Sequence, residues 1–576
     1  MKKLYNLIFL CTIGLAVFSC KKDGFLGQTQ TSNLTEDVVF KDSVNATAFL
    51  TNIYTSIGFS EIGNRFSNGG LDVASDEAEP YDNSATTTIG FANGSVDANT
   101  VSGDAYDKCY NNIRAVNVFL KHLPQTPLKD VTKAELKAEA RFLRAWYYSI
   151  LLKHYGGVAL VGDTVYNYTD KIDAKRNTFE ECVNYIVSEC DAAAQTLPVT
   201  QSGLLYGRAS TGACLALKAR VLLYAASPLF NDPSPGSDTP LGIANGDQKA
   251  LVGYTDYKAS RWEDAAKAAE AVINLGAYSL VVDNSTAPGY GFQYVFTKRV
   301  NTEYIWQLMR PSNQELENIY LPPSRGARGG GFPYQEFVDA FETSEGLAIT
   351  DPKAQYDPNN PYAGRDPRLE YSIIHDQSTY ITNTSLNQTP INIYTVNGLG
   401  VGVDAIYAGT KTGYYSKKML DPAAVPNSFN VTERCIPLIR YAEVLLNYAE
   451  AINEFEGPAK AYEPIQKIRM RAGLNPYTLP AGLSQADMRK VIQHERRIEL
   501  AFEGHRFWDV RRWKLGQETQ TMQMTGLEVK RNGSGALLGY NHINVRKHGF
   551  KPALYLWPIP TSEVAKSPLT VQNPGY

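Results

Sequence analysis

The sequence lacks features that would assign it to several common functional classes. Its 576 residues carry a formal net charge of -3 with a pI near 6.2, and no run of lysine and arginine exceeds a few residues. Proteins that bind nucleic acid usually present a broad basic field, so we expect no nucleic-acid partner. The nucleophile-elbow, zinc-protease and P-loop motifs are missing, and the glycine-rich run at Gly398 has the wrong spacing for a dinucleotide site. We therefore expect no cofactor.

A second transmembrane candidate is also missing, and the notable apolar run lies at the N-terminus. Two lysines precede the apolar residues 7–18, a run shorter than the roughly 20 residues that span a bilayer but suited to a secretory signal. The run ends at Ser19-Cys20, and a small residue before cysteine is what signal peptidase II processing requires. We predict a lipoprotein signal at 1–19, lipid attachment at Cys20 and a flexible tether at 20–34. Ordinary cleavage beside an incidental cysteine is the alternative.

The cysteines do not form a disulfide framework. Of seven, Cys11 leaves with the signal and Cys20 would carry lipid, so an odd number remains. Cys182 and Cys190 fall in one predicted helix about 12 Å apart, beyond disulfide reach, and we expect both to be buried apolar residues. Without Cys-x-x-Cys or ligand spacing among the histidines, we expect no metal site. The remaining cysteines are Cys109, Cys182, Cys190, Cys214 and Cys435.

Helix-start signals recur along the chain. Thr132-x-x-Glu135 and Thr178-x-x-Glu181 are capping boxes, and the first opens a predicted helix that Gly156-Gly157 closes. The predicted helices fall into adjacent pairs, with long irregular stretches between them that usually carry function. The other predicted helices are 178–197, 211–226, 262–275, 441–454 and 458–471, and the irregular stretches are 61–100, 231–260, 281–302 and 310–331.

The densest segment is ERRIELAFEGHRFWDVRRW at 495–513, with five arginines and three glutamates. Ser484 and Asp487 form a cap and Gly504 supplies a stop, which predicts one helix at 485–503. Its glutamates, at i, i+4 and i+8, have the spacing of paired catalytic acids. The neighbouring Arg496 and Arg497 favour a structural interpretation, because each carboxylate gains a cationic neighbour.

This segment resembles the signature of the SusD/RagB family of surface lipoproteins, which capture nutrients for TonB-dependent transporters. Motifs along nearly the whole chain fit in the family's order. The resemblance implies a mainly α fold, a tetratricopeptide-like scaffold of four helix pairs with long irregular loops and a few short strands, and no catalytic activity. It also implies a helical region at 35–230 and a second region at 231–576, packed as one body. The other motifs are AEARFLRAWYYSILLKHYGGVALV at 138–161, KARVLLYAASPLFND at 218–232, GRDPRLEYSII at 364–374, TGYYSKKML at 412–420, IPLIRYAEVLLNYAEAINE at 436–454, IRMRAGLN at 468–475 and LTVQNPGY at 569–576.

Tyrosines outside these motifs are the candidate ligand residues. The chain has 36 tyrosines against six tryptophans, and flat aromatic faces bind the apolar C–H patches of sugars. Two arginines of a glycine-rich run are candidates for an acidic sugar or a carboxylate, although a mobile turn explains them equally well. The acids Asp76, Glu77 and Glu79 are candidates for a hydrolytic acid pair, but a solvated acidic loop or a polar wall of a binding surface is the favoured interpretation. The predicted ligand residues are Tyr81, Tyr290, Tyr294, Tyr320, Arg325 and Arg328.

Three functional hypotheses follow. The first is a lipid-anchored outer-membrane protein that holds an oligosaccharide against a TonB-dependent barrel of the SusC type. The second is peptide capture, which some members of the resembled family perform. The third is a surface glycoside hydrolase, since two carboxylates need only converge in space.

Overall fold

The computed structural model describes residues 36–66, 69–84, 86–167, 169–170, 175–232, 234–382, 384–428, 431–567 and 569–576. The predicted signal, Cys20 and the tether lie outside the described residues.

Within these residues the chain forms twenty α-helices and short strands, which confirms the prediction of a mainly α fold. None of the described helices has both the length and the apolar character that a membrane crossing requires. The helices are α1 Glu36–Phe40, α2 Ser43–Tyr54, α3 Thr86–Asn93, α4 Asp104–His122, α5 Asp130–Tyr155, α6 Phe179–Ala194, α7 Thr211–Ala226, α8 Pro240–Ile243, α9 Gln248–Val252, α10 Ser260–Asn274, α11 Tyr290–Thr297, α12 Glu315–Tyr320, α13 Gln335–Ala340, α14 Arg368–Ser372, α15 Tyr441–Glu456, α16 Tyr462–Arg471, α17 Gln485–Glu499, α18 Arg506–Arg512, α19 Gly516–Thr519 and α20 Thr561–Lys566.

The long helices pack one against the next. Helix α5 lies between α4 and α6, α6 packs on α7, and α10 packs on both α7 and α15. Helix α15 then contacts α16 and α17, which continues the array into the second half of the chain. This succession of helix pairs is the scaffold on which the irregular segments rest.

Some helix starts agree with the sequence signals and others do not. The capping box of α6 is present, since Thr178 and Glu181 each hydrogen-bond the other's backbone. The box predicted at Thr132 is wrong, because α5 begins two residues earlier at Asp130, an acid in the favourable first turn. Helix 458–471 is interrupted, with a 3-10 turn at Pro458–Lys460 before α16.

The strands form small separate sheets. The largest has the order β12-β11-β7-β8, in which β11 and β12 pair as a long antiparallel hairpin and β7 runs parallel to β11. The other pairs are β1 with β3, β2 with β10, β4 with β9 and β5 with β6. The strands are β1 Ala78–Pro80, β2 Tyr304–Met309, β3 Gly331–Pro333, β4 Ile373–Ile374, β5 Thr379–Thr382, β6 Ser385–Pro390, β7 Thr395–Val396, β8 Leu399–Gly400, β9 Tyr415–Ser416, β10 Cys435–Arg440, β11 Gln523–Arg531 and β12 Leu537–Lys547.

The main apolar core joins the helical array to strand β2. The Trp306 ring of β2 lies 4.8 Å from Phe142 and 6.1 Å from Trp146, both on α5. Trp146 Nε1 donates to the Ile57 carbonyl at 2.8 Å, so its one polar atom is satisfied inside the core. All six tryptophans are buried, so none of them offers an open ring to a ligand: Trp146, Trp262, Trp306, Trp508, Trp513 and Trp557.

The signature glutamates are buried in an ion-pair network that differs from the expected one. Glu499 accepts from Arg440 at 2.6 Å and from Arg368 at 3.1 Å, and it also pairs with Arg471. Glu495 accepts from Arg368 at 2.5 Å. Glu495 and Glu499, at i and i+4 of α17, both face the core. They therefore meet arginines from distant motifs and not their neighbours in sequence. The structural interpretation holds, but the neighbouring Arg496 and Arg497 are not the partners.

All five mature cysteines in the described chain are free and buried, as predicted for Cys182 and Cys190. The predicted irregular stretches contain short helices, namely α3 within 61–100, α8 and α9 within 231–260, α11 within 281–302 and α12 within 310–331.

Candidate functional site

Tyr81 directly follows strand β1, and 38% of the residue is exposed. Its ring centroid lies 6.3 Å from that of Phe332 on β3. Beside it, the Asn83 side-chain oxygen accepts hydrogen bonds from Lys411 Nζ and Arg546 Nη2, each at 3.2 Å. We call Tyr81, Asn83, Lys411 and Arg546 the Tyr81 shelf. The exposed Tyr81 ring can stack on the apolar face of a sugar, while the amide and cationic side chains beside it hydrogen-bond the hydroxyls of the sugar.

The carboxylates that precede Tyr81 are buried, which corrects the expectation of a solvated acidic loop. Asp76 accepts two hydrogen bonds from Arg506, at 2.8 and 2.7 Å. Glu79 accepts from Arg546 at 2.7 and 2.5 Å. Burial raises the pKa of Glu79, but hydrogen bonds from Arg546 and Tyr334 and the charges of Arg546 and Lys411 together outweigh it and hold the pKa below its ordinary value. Asp76 and Glu79 therefore anchor arginines of the C-terminal region, whereas the buried Glu77 carboxylate has no hydrogen-bond partner among the described residues.

Tyr290 and Tyr294 lie on helix α11, not on a loop as predicted, and both are partly exposed. Lys298 Nζ lies 5.7 Å from the centroid of the Tyr294 ring. Helix α11 packs against α14 and β10, whereas Tyr81 packs on β3. The structure therefore places the predicted tyrosines on separate elements.

Tyr320 and Arg325 are buried, at 8% and 5% exposure, and Arg328 is exposed. Burial raises the pKa of Tyr320, whose hydroxyl packs so closely on Gly63 that a Cβ there would lie 1.9 Å away. Arg325 donates to Thr389 O at 2.7 Å and Thr389 Oγ1 at 2.9 Å, so it holds the β5–β6 hairpin. These contacts correct the expectation that both side chains lie open on a loop.

A cavity that the sequence analysis missed lies between α4, the segment after α5 and α20. Tyr106 and Tyr110, one turn apart on α4, have ring centroids 4.8 Å apart. Tyr166 completes a set of three rings, and its carbonyl accepts from Arg114 at 3.4 Å. The cavity measures about 830 Å³, within the usual range for small-molecule sites. We call it the tyrosine cleft; its polar lining is Asp107, Asn111, Arg114, Thr164, Asn167, Asp170, Glu563, Lys566, Ser567 and Thr570.

The chemistry of the tyrosine cleft suits a polyhydroxylated ligand. Burial and the charge of Glu563 raise the pKa of Tyr106 to about 12, so its hydroxyl stays a donor at neutral pH. Amides at Asn111 and Asn167 can both donate and accept. A sequence signal for this site exists, because Tyr106 and Tyr110 stand at i and i+4 and Asn111 follows them. The signal depends on a helix at 104–122, which the sequence patterns above do not predict.

Two family models match the chain in succession. Residues 24–223 match a family described as "Starch-binding associating with outer membrane", and residues 293–576 match the "SusD family". SusD-like protein P38 of Formosa agariphila is 23% identical over 424 residues, 70% of this chain and 71% of that protein. SusD-like protein P2 of the same organism is 36% identical over 148 residues, 24% of this chain. The match spans only 26% of the length of P2.

Solved structures share the fold over nearly the whole chain. A SusD-like protein from Bacteroides fragilis is 27% identical with a TM-score of 0.76, covering 94% of this chain and 99% of that one. A protein described as a laminarin-binding SusD-like protein is 20% identical with a TM-score of 0.63, covering 93% and 100%. The second likeness bears on the fold alone.

Proposed function

Because this chain belongs to the SusD/RagB family, we propose that it is a lipid-anchored outer-membrane protein that binds an oligosaccharide. It would face the cell exterior, held by lipid on Cys20, and deliver its ligand to a TonB-dependent barrel of the SusC type. The family descriptions, which name starch binding and association with the outer membrane, support the ligand class and the location.

The tyrosine cleft is the observation that carries the glycan proposal. Its three tyrosine rings offer stacking faces, and two asparagines and two cationic side chains offer hydrogen bonds to hydroxyls. Carboxylates and cations are nearly balanced along its walls, which suits a neutral sugar. The Tyr81 shelf is the second proposed contact surface, and Tyr290, Tyr294 and Arg328 are further proposed contacts.

The test is calorimetric titration of the full chain with a panel of neutral oligosaccharides and peptides. Tyr166→Ala removes a stacking ring from the tyrosine cleft, and Tyr81→Ala removes the ring of the Tyr81 shelf. Loss of one stacked ring costs about 1 to 3 kcal/mol by analogy with bases on aromatics, or roughly tenfold to a hundredfold in affinity. Tyr257→Ala, which removes a 47% exposed tyrosine outside both surfaces, is the matched control.

The outcomes separate the hypotheses. If Tyr166→Ala leaves the affinity unchanged, the tyrosine cleft is not the glycan-binding site. If wild type binds only peptides, the ligand is a peptide and not an oligosaccharide. Product analysis of each mixture addresses hydrolysis, for which the cleft offers the carboxylates of Asp107, Asp170 and Glu563. Burial and Glu563 raise the pKa of Asp107, while Glu563 pairs with Lys566 at 2.5 Å. If wild type releases shortened sugars and the Asp107→Asn variant does not, the protein is an enzyme.

A further inference from the structure

Helix α5 carries a stripe of cations on one face. Lys133, Lys137, Arg141 and Arg144 follow at intervals of four, four and three residues, which places them along the same side of the helix. They line a groove of about 880 Å³ between α4, α5 and α6, together with Lys121 of α4. We call this cavity the basic groove. Its local charge contrasts with the formal net charge of -3 for the whole chain.

The inner end of the basic groove is rigid. Glu189 of α6 accepts from Arg141 at 3.0 and 2.7 Å and from Arg144 at 3.0 and 2.8 Å. Arg144 also donates to Asn117 Oδ1 at 2.9 Å, so its guanidinium is fixed. Arg141 keeps 30% of its side chain exposed, and its Nη1 makes no hydrogen bond within the described residues. The two carboxylates at this end, Glu189 and Asp163, are therefore already paired with arginine.

The outer end of the basic groove holds an excess of positive charge, with three lysines against one carboxylate, that of Asp130. Lys121 and Lys137 are exposed, and neither forms an ion pair or a side-chain hydrogen bond in the part of the chain that the structure describes. Lys133 donates only to the Pro124 carbonyl, at 2.9 Å, which leaves its charge unpaired. Side chains four residues apart on a helix lie about 6 Å apart along its axis. The groove thus presents a row of cations that matches a polymeric ligand with repeated negative charges.

Two observations point to a sugar as the carrier of those charges. Tyr185 lines the groove and supplies an aromatic ring there. The groove also shares a wall with the tyrosine cleft, since Gly162 and Asp163 line the groove while Val161 and Thr164 line the cleft. An aromatic ring in the groove and stacking tyrosines next to it fit a glycan better than an acidic peptide.

We propose that the basic groove is a subsite for carboxylate or sulfate groups of an acidic oligosaccharide whose neighbouring sugar rings enter the tyrosine cleft. This subsite rests on the proposed glycan-binding function. Because the unpaired lysines are exposed, the attraction is screened by salt and gives moderate selectivity.

The experiment uses the full chain with Lys121→Gln and Lys137→Gln combined. The probes are an oligogalacturonate, a sulfated oligosaccharide and a neutral oligosaccharide of equal length, titrated at low and high salt. We expect wild type to favour an acidic probe at low salt and the double variant to lose about three- to thirtyfold affinity for it. Binding of the neutral probe stays unchanged. The two acidic probes show whether carboxylate or sulfate is the recognised group.

The control combines Lys249→Gln with Lys353→Gln, two exposed lysines outside both cavities that change net charge equally. Equal losses in both double variants, or equal wild-type affinity for acidic and neutral probes, would overturn the subsite while leaving glycan binding intact. A groove variant that binds every probe normally but no longer co-purifies with a membrane barrel would show a protein-docking surface instead. Failure of wild type to bind any oligosaccharide would refute the proposed function and the subsite with it.

Discussion

Asp72 is a buried carboxyl whose protonation links the stability of this fold to pH. It is 5% exposed, and its Oδ1 accepts a 3.1 Å hydrogen bond from the backbone N–H of Gly504. Burial raises the pKa of Asp72 from 3.8 to about 7, with repulsion from Glu61 and Glu503 added to it and attraction to Lys418 opposing it. The folded state therefore favours the neutral, protonated form of Asp72 more than the unfolded state does.

The sign of the pH dependence follows from the raised pKa. The folded state binds this proton more tightly than the unfolded state, so the contribution is fully present below about pH 4 and is lost as pH rises through about 7. The difference between 3.8 and about 7 corresponds to about 4 kcal/mol, because one pKa unit is about 1.4 kcal/mol. Asp72→Asn keeps an acceptor for Gly504 and carries no charge at any pH.

The assay is urea unfolding of wild type and Asp72→Asn between pH 4 and pH 9. The free energy of unfolding of the variant minus that of wild type should rise by about 4 kcal/mol across this range. Groups that do not interact with Asp72 cancel in this difference, and His154, whose pKa burial and Arg65 lower, is one of them. Glu77 does not cancel, because burial and the charge of Asp72 raise its pKa. Glu345→Gln, at an exposed acid, should show no such rise. A difference that is constant or falls with pH would refute the reasoning.

Two further predictions concern the core network and the anchor. Glu499→Gln should lower the free energy of unfolding by about 3 to 5 kcal/mol in urea titrations, because it leaves three buried guanidiniums short of a carboxylate. Glu463→Gln, at a side chain 77% exposed, should change it by less than about 0.5 kcal/mol, and equal effects would contradict the network. Cys20→Ala should abolish lipid labelling and release the folded protein to the soluble fraction, whereas detergent extraction of wild type should bring down an outer-membrane barrel. Unchanged membrane partitioning of the variant would exclude the anchor.

Local sequence signals predicted helices correctly where a capping residue before the first turn fixes the start of the helix. The helix expected at 211–226 forms at Thr211–Ala226, capped by Ser210, whose side chain accepts from Ala213 N. The box at Thr178 also forms as predicted. Such caps work through hydrogen bonds within about four residues, so they can be recognised without the rest of the chain.

Tertiary contacts changed the end of the signature helix. It was predicted to continue to residue 503, but α17 ends at Glu499. The Glu499 carbonyl accepts from Arg440 at 2.7 Å and from Lys418 at 2.8 Å, so these side chains take the acceptor that would continue the helix. Phe502 turns to a positive φ of 56° before the Gly504 stop. Donors from residues 418 and 440 cannot be read from the local sequence.

The sequence by itself determined the family through the order of its motifs, the mainly α class through that resemblance together with the helix-start signals, and the structural role of the signature segment through its interleaved charges. Only the tertiary structure decided which surfaces are open to a ligand. Tyr320 and Arg325 were buried by packing against Gly63 and the β5–β6 hairpin. The tyrosine cleft formed where α4 meets α20, more than four hundred residues further along the chain. A site assembled across such a distance depends on how the helices stack, and stacking is set by contacts that no local pattern records.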